Sequence, residues 1–399
     1  MASASPAERI DGAYRVALLD WLACAVGGRD EPAARAARAA GDGLLERVAF
    51  LGAAGHVLDF DDTYLPGLAH LSAPVAPAAL GLAAQLGARV DQALDAYAAG
   101  FETMGVLARA SHPALYEGGW HPTAVCGVVG AATAASRLLG LDSAGEGHAV
   151  RLAALRAGGL RAAFGSDGKS LQVGMAAADG VLAARQAAAG ARVSPAVADG
   201  PAGFEESFGA RWAVAGDGAA AVTQNWIKPW PCCLMAHSAV EAAATARRQG
   251  VGAEAQVTVI VHPRARRAAA HDDVSDGLQA KFSLSYLVAY TLLRGEPSAA
   301  SFSGVDAETC ALAADRIRVR TDPALGETEA VLEADGQAVA RVAHSLGSPE
   351  RPMSQDQLAA KVEDLAGRRL AGVLDDPQLP VAELLSAAGL DRPAAVPAS

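Results

Sequence analysis

His56-Val57-Leu58-Asp59-Phe60-Asp61-Asp62-Thr63, followed by His70, sets three carboxylates within four residues between two imidazoles. The chain around this stretch is rich in alanine, glycine and leucine. Leu58, Phe60 and the apolar run Pro74–Ala84 flank the acids, which places some of them at the mouth of a buried site. Burying a carboxylate is costly unless it is paired or used chemically, so the stretch reads as a catalytic segment. Taken as a helix, it puts His56 and Asp59 on one face at i, i+3, and Asp59 and Thr63 at i, i+4. Pro66 and Gly67 then break the helix and leave His70 on the following loop. The structural alternative is a capping cluster at a helix end.

Composition narrows the function classes. A chain of 399 residues is long enough for two domains. Charged residues make up 19%, below the usual ~25%, and hydrophobic ones 51%, which implies a large buried fraction and fits a subunit interface. Net charge is −11 with no basic cluster, which argues against a nucleic-acid partner. Met1–Arg9 shows no signal-peptide pattern, and apolar stretches such as Ala124–Ala135 are too short and glycine-rich to span a bilayer. Five cysteines, with Cys232 beside Cys233, suggest neither a disulfide framework nor a zinc site. A cytoplasmic protein with no membrane partner is expected.

Pattern divides the chain. Ala13–Gly27, Ala73–Leu86, Val90–Arg109, Pro122–Leu139, Gly145–Leu155 and Lys169–Ala189 read as helices with small residues at three- and four-residue spacing. After Lys228 the character changes. Ala255–His262 and Arg316–Arg320 alternate as strands, and Glu327–Glu333 and Ala338–His344 flank Ala334-Asp335-Gly336, a hairpin turn. Leu278–Leu293 reads as one apolar helix. Ser354–Leu370 and Val381–Ala388 return to helix, and the Ala/Pro-rich last few residues read as unstructured. The expected fold is mostly α, with a large helical domain from 1–228 and 352–399 and a smaller α+β lid domain from 229–351.

Three further segments carry candidate chemistry. His121 precedes Pro122, a proline suited to a first helical turn; an imidazole there stays neutral and can accept a proton or bind a carboxylate. Gly165-Ser166-Asp167-Gly168-Lys169 opens a long helix, where N–H groups and an ammonium converge as a carboxylate receptor. Lys228 and His237 bracket Pro229-Trp230-Pro231-Cys232-Cys233, a rigid segment at the domain junction. The cysteines read as packing residues.

Leu58-Asp59-Phe60-Asp61-Asp62-Thr63 resembles the hallmark of the MmgE/PrpD family, which includes 2-methylcitrate dehydratases, cis-aconitate decarboxylases and an iminodisuccinate epimerase. Gly119–Val125, Gly168–Leu171, Lys228–Cys233 with His237, and Lys281–Tyr286 are similar to further family blocks, in the family's order. The resemblance implies a homodimer of cofactor-independent enzymes without a metal, and places Asp59, Thr63 and His70 in the active site. Proton transfer beside a carboxylate would follow: His70, assisted by Asp59, moves the proton, while Lys169, Lys228 and His121 hold a small di- or tricarboxylate. His237 and Tyr286 complete the expected substrate-binding set, Tyr286 by closing over the site with its phenol. Three positions depart from the family pattern: Leu71 for a proline, Gln172 for a histidine and Leu234 for an arginine. They motivate an epimerase or specialised lyase as the alternative. A magnesium–diphosphate site at Asp59–Asp62, which would need a second acidic motif, and a degenerate binding or scaffold protein are the remaining readings.

Overall fold

The computed structural model describes residues 6–216, 218–370 and 372–391; the Ala/Pro-rich end expected to be unstructured lies outside these residues. The chain is mostly α. Its first half forms helices α1 (Pro6–Gly28), α2 (Pro32–Arg38), α3 (Leu44–His56), α4 (Ser72–Leu86), α5 (Val90–Ala110), a short α6 (Ala114–Glu117), α7 (Pro122–Leu138), α8 (Ser143–Ala154) and α9 (Gly168–Ala188). Their shared core is built from alanine, valine and leucine with few aromatics, so the helices approach closely. A Cβ on Gly52 of α3 would lie 2.8 Å from Gly174 Cα of α9, and one on Gly174 would lie 2.2 Å from Ala49 O. Only glycine admits this contact, which sets the end of α3 beside the start of α9. The sequence pattern did not reveal α3, because the glycines that permit its packing also lower its helical propensity.

Two short helices, α10 (Ala196–Asp199) and α11 (Phe204–Phe208), lead to the second half, an α+β module with its own core. It opens with α12 (His237–Arg248), which was not anticipated. Strands β3 (Val257–Val261), β4 (Ile317–Thr321), β5 (Ala330–Ala334) and β6 (Gln337–Val342) form one sheet in the order β4-β3-β5-β6. β3 and β4 are parallel; the other pairs are antiparallel. Asp335 and Gly336 turn the β5–β6 hairpin with φ of 50° and 80°, the left-handed pair that a tight hairpin needs. The single helix expected at Leu278–Leu293 is instead two. α13 (Pro263–Ala268) is followed by α14 (Gly277–Ala280) and α15 (Leu284–Arg294). The Ser283 side chain accepts from Tyr286 N and restarts the helix, and the break lets Lys281 turn inward. After α16 (Ala307–Arg316), the tail helices α17 (Gln355–Ala366) and α18 (Val381–Ala388) pack on α1 and α4. Among the described residues no helix is long and apolar enough to cross a membrane.

The helix expected across Asp59–Thr63 is absent. α3 stops at His56, and Asp59 takes a left-handed φ of 54°, a conformation uncommon for a side chain with a Cβ. The carbonyls of this loop leave the helical ladder because buried ammoniums take them. Lys281 Nζ donates to Leu58 O at 2.7 Å, Lys228 Nζ to Asp59 O at 2.9 Å and Lys361 Nζ to Phe60 O at 2.8 Å. Thr63-Tyr64 then forms β1, antiparallel to β2 (Asn225–Trp226), which brings the Asp loop beside Lys228.

Lys361 also pairs with Asp20 Oδ1 of α1 at 2.5 Å and donates to Lys228 O at 2.9 Å. Both side chains of the pair are buried. Lys361→Met would strand the Asp20 carboxylate, and we expect a loss of about 3–5 kcal/mol, read as a lower urea midpoint and melting temperature. Adding Asp20→Leu should recover much of it. Lys228, Lys281 and Lys361 should also resist amine acylation in the folded chain and label only after denaturation, as counted by mass spectrometry.

Candidate active site

A cavity of about 350 Å³ lies where the Asp loop, the starts of α7 and α9, and the α12 and α13 side of the second module meet. Phe164, Phe282, Leu68, Leu234 and Met235 give it apolar walls, and Asp59, His70, His121, Lys169 and Lys228 line it as well. Low-dielectric walls strengthen the interactions among these polar groups.

His70 stands just before α4. Its backbone N–H donates to Thr123 Oγ1 at 3.1 Å, and its ring Nδ1 lies 3.2 Å from Asp61 Oδ2. The same oxygen lies 2.8 Å from His56 Nδ1. An ionised carboxylate only accepts, so both rings present Nδ1–H to Asp61 and keep the Nε2 lone pair free. Burial alone would raise the Asp61 carboxyl, but the two imidazoles hold it well below the usual range. Burial lowers both histidines, His56 to about 4. His70 is therefore a neutral ring with a basic Nε2 at the cavity. The carboxylate that orients it is Asp61, not Asp59 as expected; Asp59 Oδ1 is 3.9 Å from His70 Nε2. Thr63 Oγ1 lies 3.5 Å from His70 Nδ1, at the limit of a hydrogen bond.

Asp59 serves the cations instead. Its Oδ1 lies 2.6 Å from Lys169 Nζ and 3.2 Å from Lys228 Nζ. Against burial, which would raise it, the two ammoniums hold the Asp59 carboxyl below its ordinary value. The anion that neutralises Lys169 at the start of α9 is thus within the chain, a change from the free carboxylate receptor expected there. Lys228 Nζ donates to Asp59 O at 2.9 Å and to Cys232 O at 3.1 Å, and forms an ion pair with Asp59 Oδ1 at 3.2 Å. It supplies charge to the site and holds the Asp59 turn by its carbonyl. Lys169 keeps two N–H groups beyond Asp59, between the Phe164 and Phe282 rings.

His121 caps α7 and is buried with a depressed pKa, through burial first and then the neighbouring His56 and Lys169. Gln172 Nε2 lies 2.7 Å from His121 Nδ1, so the departure at 172 retains a polar contact. Two expected binding residues lie elsewhere. His237 is buried behind the wall, its Nε2 3.3 Å from Cys232 O, where it supports the same carbonyl as Lys228. The Tyr286 hydroxyl accepts from Asp306 N at 3.0 Å within the second module and does not line the cavity. Burial pushes the Cys233 thiol up to about 11, which disfavours the thiolate. Asp61 and His56, within the expected catalytic segment, and Thr123 and Lys281, within the family blocks, carried no individual role in the sequence reading, and Lys361 was not singled out. One signal marked the lysines: the chain has four, Lys169, Lys228, Lys281 and Lys361, and all four are buried against residues 57–60.

His56, Asp61 and His70 each offer a ligand atom within 4.8 Å of the others, the one such group among the described residues. That donor set could hold a divalent ion. The shared carboxylate oxygen already satisfies both rings as a hydrogen-bond acceptor.

Residues 45–217 match the MmgE/PrpD N-terminal domain and residues 230–382 the MmgE/PrpD C-terminal domain. The chain is also similar to a cis-aconitate decarboxylase of Homo sapiens, 32% identical over 219 residues that cover 51% of this chain. The match spans 44% of that relative, under half of its length. With both domain models matched in order over most of its residues, the chain belongs to the MmgE/PrpD family.

Proposed function

We propose that this protein is a cofactor-independent lyase that removes water or carbon dioxide from a small di- or tricarboxylate by proton transfer beside a carboxylate. The observation that carries the reading is the Asp61–His70 pair, which aims a basic Nε2 into a cavity that also holds Lys169. The human relative's name, a decarboxylase, and the family's membership support the class of reaction.

A substrate carboxylate would bind the free N–H groups of Lys169. His70 Nε2 then takes the proton from the adjacent carbon, and the C–H electron pair moves into the carboxylate as an enolate. Lys169, with the charge of Lys228 behind it, stabilises that form between apolar walls. In a dehydration the pair returns to form the double bond and expels the β-hydroxyl, which leaves as water with the proton on His70. In a decarboxylation a C–C bond breaks instead, carbon dioxide leaves, and the carbon that keeps the pair takes a proton that solvent delivers through His70 Nε2. Epimerisation is the same proton transfer with return to the opposite face. Leu234 in the cavity wall stands in place of an arginine while Arg161, Arg264 and Arg267 line the same cavity, a rearranged set of cations that keeps that reading alongside.

We expect His70→Ala to abolish turnover and Asp61→Asn to lower kcat by about 10²–10⁴-fold, assayed by proton NMR in heavy water over a panel of di- and tricarboxylates. Full activity in His70→Ala would overturn the assignment. Lys169→Ala should raise KM by about 10–100-fold, the loss of a charged hydrogen bond. His70 must be neutral to act and burial lowers its pKa, so the acid limb of kcat/KM should fall below the ordinary imidazole value of 6.5. Activity should be unchanged after EDTA treatment; loss restored by a divalent ion would move the chemistry to His56, Asp61 and His70 as ligands.

A further inference from the structure

Two cavity imidazoles with the same protonation pattern could exchange roles. Here the partners of the second ring divide them. Gln172 reaches His121 from α9, and between them runs the backbone of Leu160. The side-chain amide of a glutamine is ordinarily ambiguous, since its oxygen and nitrogen look alike. Leu160 removes the ambiguity. Its N–H can only donate, and lies 2.9 Å from Gln172 Oε1; its carbonyl can only accept, and lies 3.3 Å from Gln172 Nε2. Leu160 is itself held in register, because His121 N donates to Gly159 O and Arg161 N to Gly119 O, each at 3.0 Å.

The amide nitrogen therefore faces His121 Nδ1 at 2.7 Å. An amide nitrogen donates and does not accept. His121 Nδ1 must be a lone pair, and the proton of the neutral ring sits on Nε2. A proton on Nδ1 would meet the amide hydrogen head-on, which excludes the imidazolium on geometry alone. Nε2 has no partner among the described residues, and the ring lines the cavity.

We propose that Gln172 is a positioning residue that locks His121 as a neutral Nε2–H donor, so that His121 stabilises the developing enolate oxygen while His70 alone carries the proton. The assignment of the oxygen rests on the lyase reading; the lock itself does not. A neutral imidazole cannot give up its remaining proton near neutral pH, so it acts as an electrophile and not as an acid. Of the two roles the sequence left open for His121, accepting a proton and binding a carboxylate, the lock retains only binding.

The test is long-range ¹H–¹⁵N correlation spectroscopy of the full chain labelled at histidine nitrogens, with His121 assigned by its loss in His121→Gln. The unmodified protein should show the Nε2–H tautomer, unchanged between about pH 6 and 8. Gln172→Glu replaces the donor with an acceptor and should move the proton to Nδ1, with kcat lowered about 10²–10³-fold and KM little changed. Gln172→Leu, which neither donates nor accepts, should give a mixture of tautomers and a smaller loss. An Nδ1–H or doubly protonated His121 in the unmodified protein would overturn the proposal, as would an unshifted tautomer in Gln172→Glu. The spectrum needs no substrate: a correct tautomer with no turnover on any carboxylate would sink the lyase reading and leave the lock standing.

Discussion

Four consecutive residues, Val57 to Phe60, present their carbonyls or carboxylate to buried ammoniums, and the rest of the site depends on that clamp. The lysines arrive from four separated segments: the start of α9, the strand exit after β2, the break before α15 and the tail helix α17. A backbone carbonyl leaving a helix inside a protein needs a donor, since burying it unpaired costs about 1–3 kcal/mol. Here the donors are cations, and the loop they hold carries Asp59 in a left-handed conformation that would otherwise cost about 1–3 kcal/mol. Strain in the loop is thus maintained by contacts with both halves of the chain.

The same clamp sets the electrostatics. Four ammoniums in a dry interior require anions nearby, and Asp20, Asp59 and Asp61 provide them. Asp59 balances Lys169 and Lys228, and Asp61 is then free to orient His70 and His56. Lys281, whose acceptors among the described residues are neutral carbonyls, is pushed down to about 8 by burial. Asp62, fixed by Ser72 and Asn225, is pushed up to about 7 by burial and ties the loop to α4 and β2. Adjacent carboxylates of one motif therefore do three different things. Asp59 neutralises cations, Asp61 orients bases, and Asp62 anchors backbone.

Much of the helical architecture was legible because small apolar residues recur with helical spacing. The helices expected from Ala73, Val90, Pro122 and Lys169 begin within one residue of those positions. The hairpin at Asp335-Gly336 was legible because two left-handed residues have few other uses. α3 and the break at Lys281 were not, since glycines placed for a close contact and a serine cap act only when the neighbouring element is present. His70, Asp59, His121 and Lys169 were legible as a group by residue type. Their pairing was not: sequence spacing joined Asp59 to His70, whereas the loop's left-handed turn gives His70 to Asp61.

By itself the sequence determined the helical core, the α+β module, the family blocks and the identity of the groups available for chemistry, because these follow from local periodicity and residue type. Tertiary structure alone decided which carboxylate meets which base, that Lys228 holds the Asp59 and Cys232 carbonyls, and that Tyr286 and His237 stand outside the cavity. Those outcomes depend on contacts between residues more than a hundred positions apart, such as Lys169 with Asp59 and Lys361 with Phe60. No local pattern encodes such a distance; only the closed fold does.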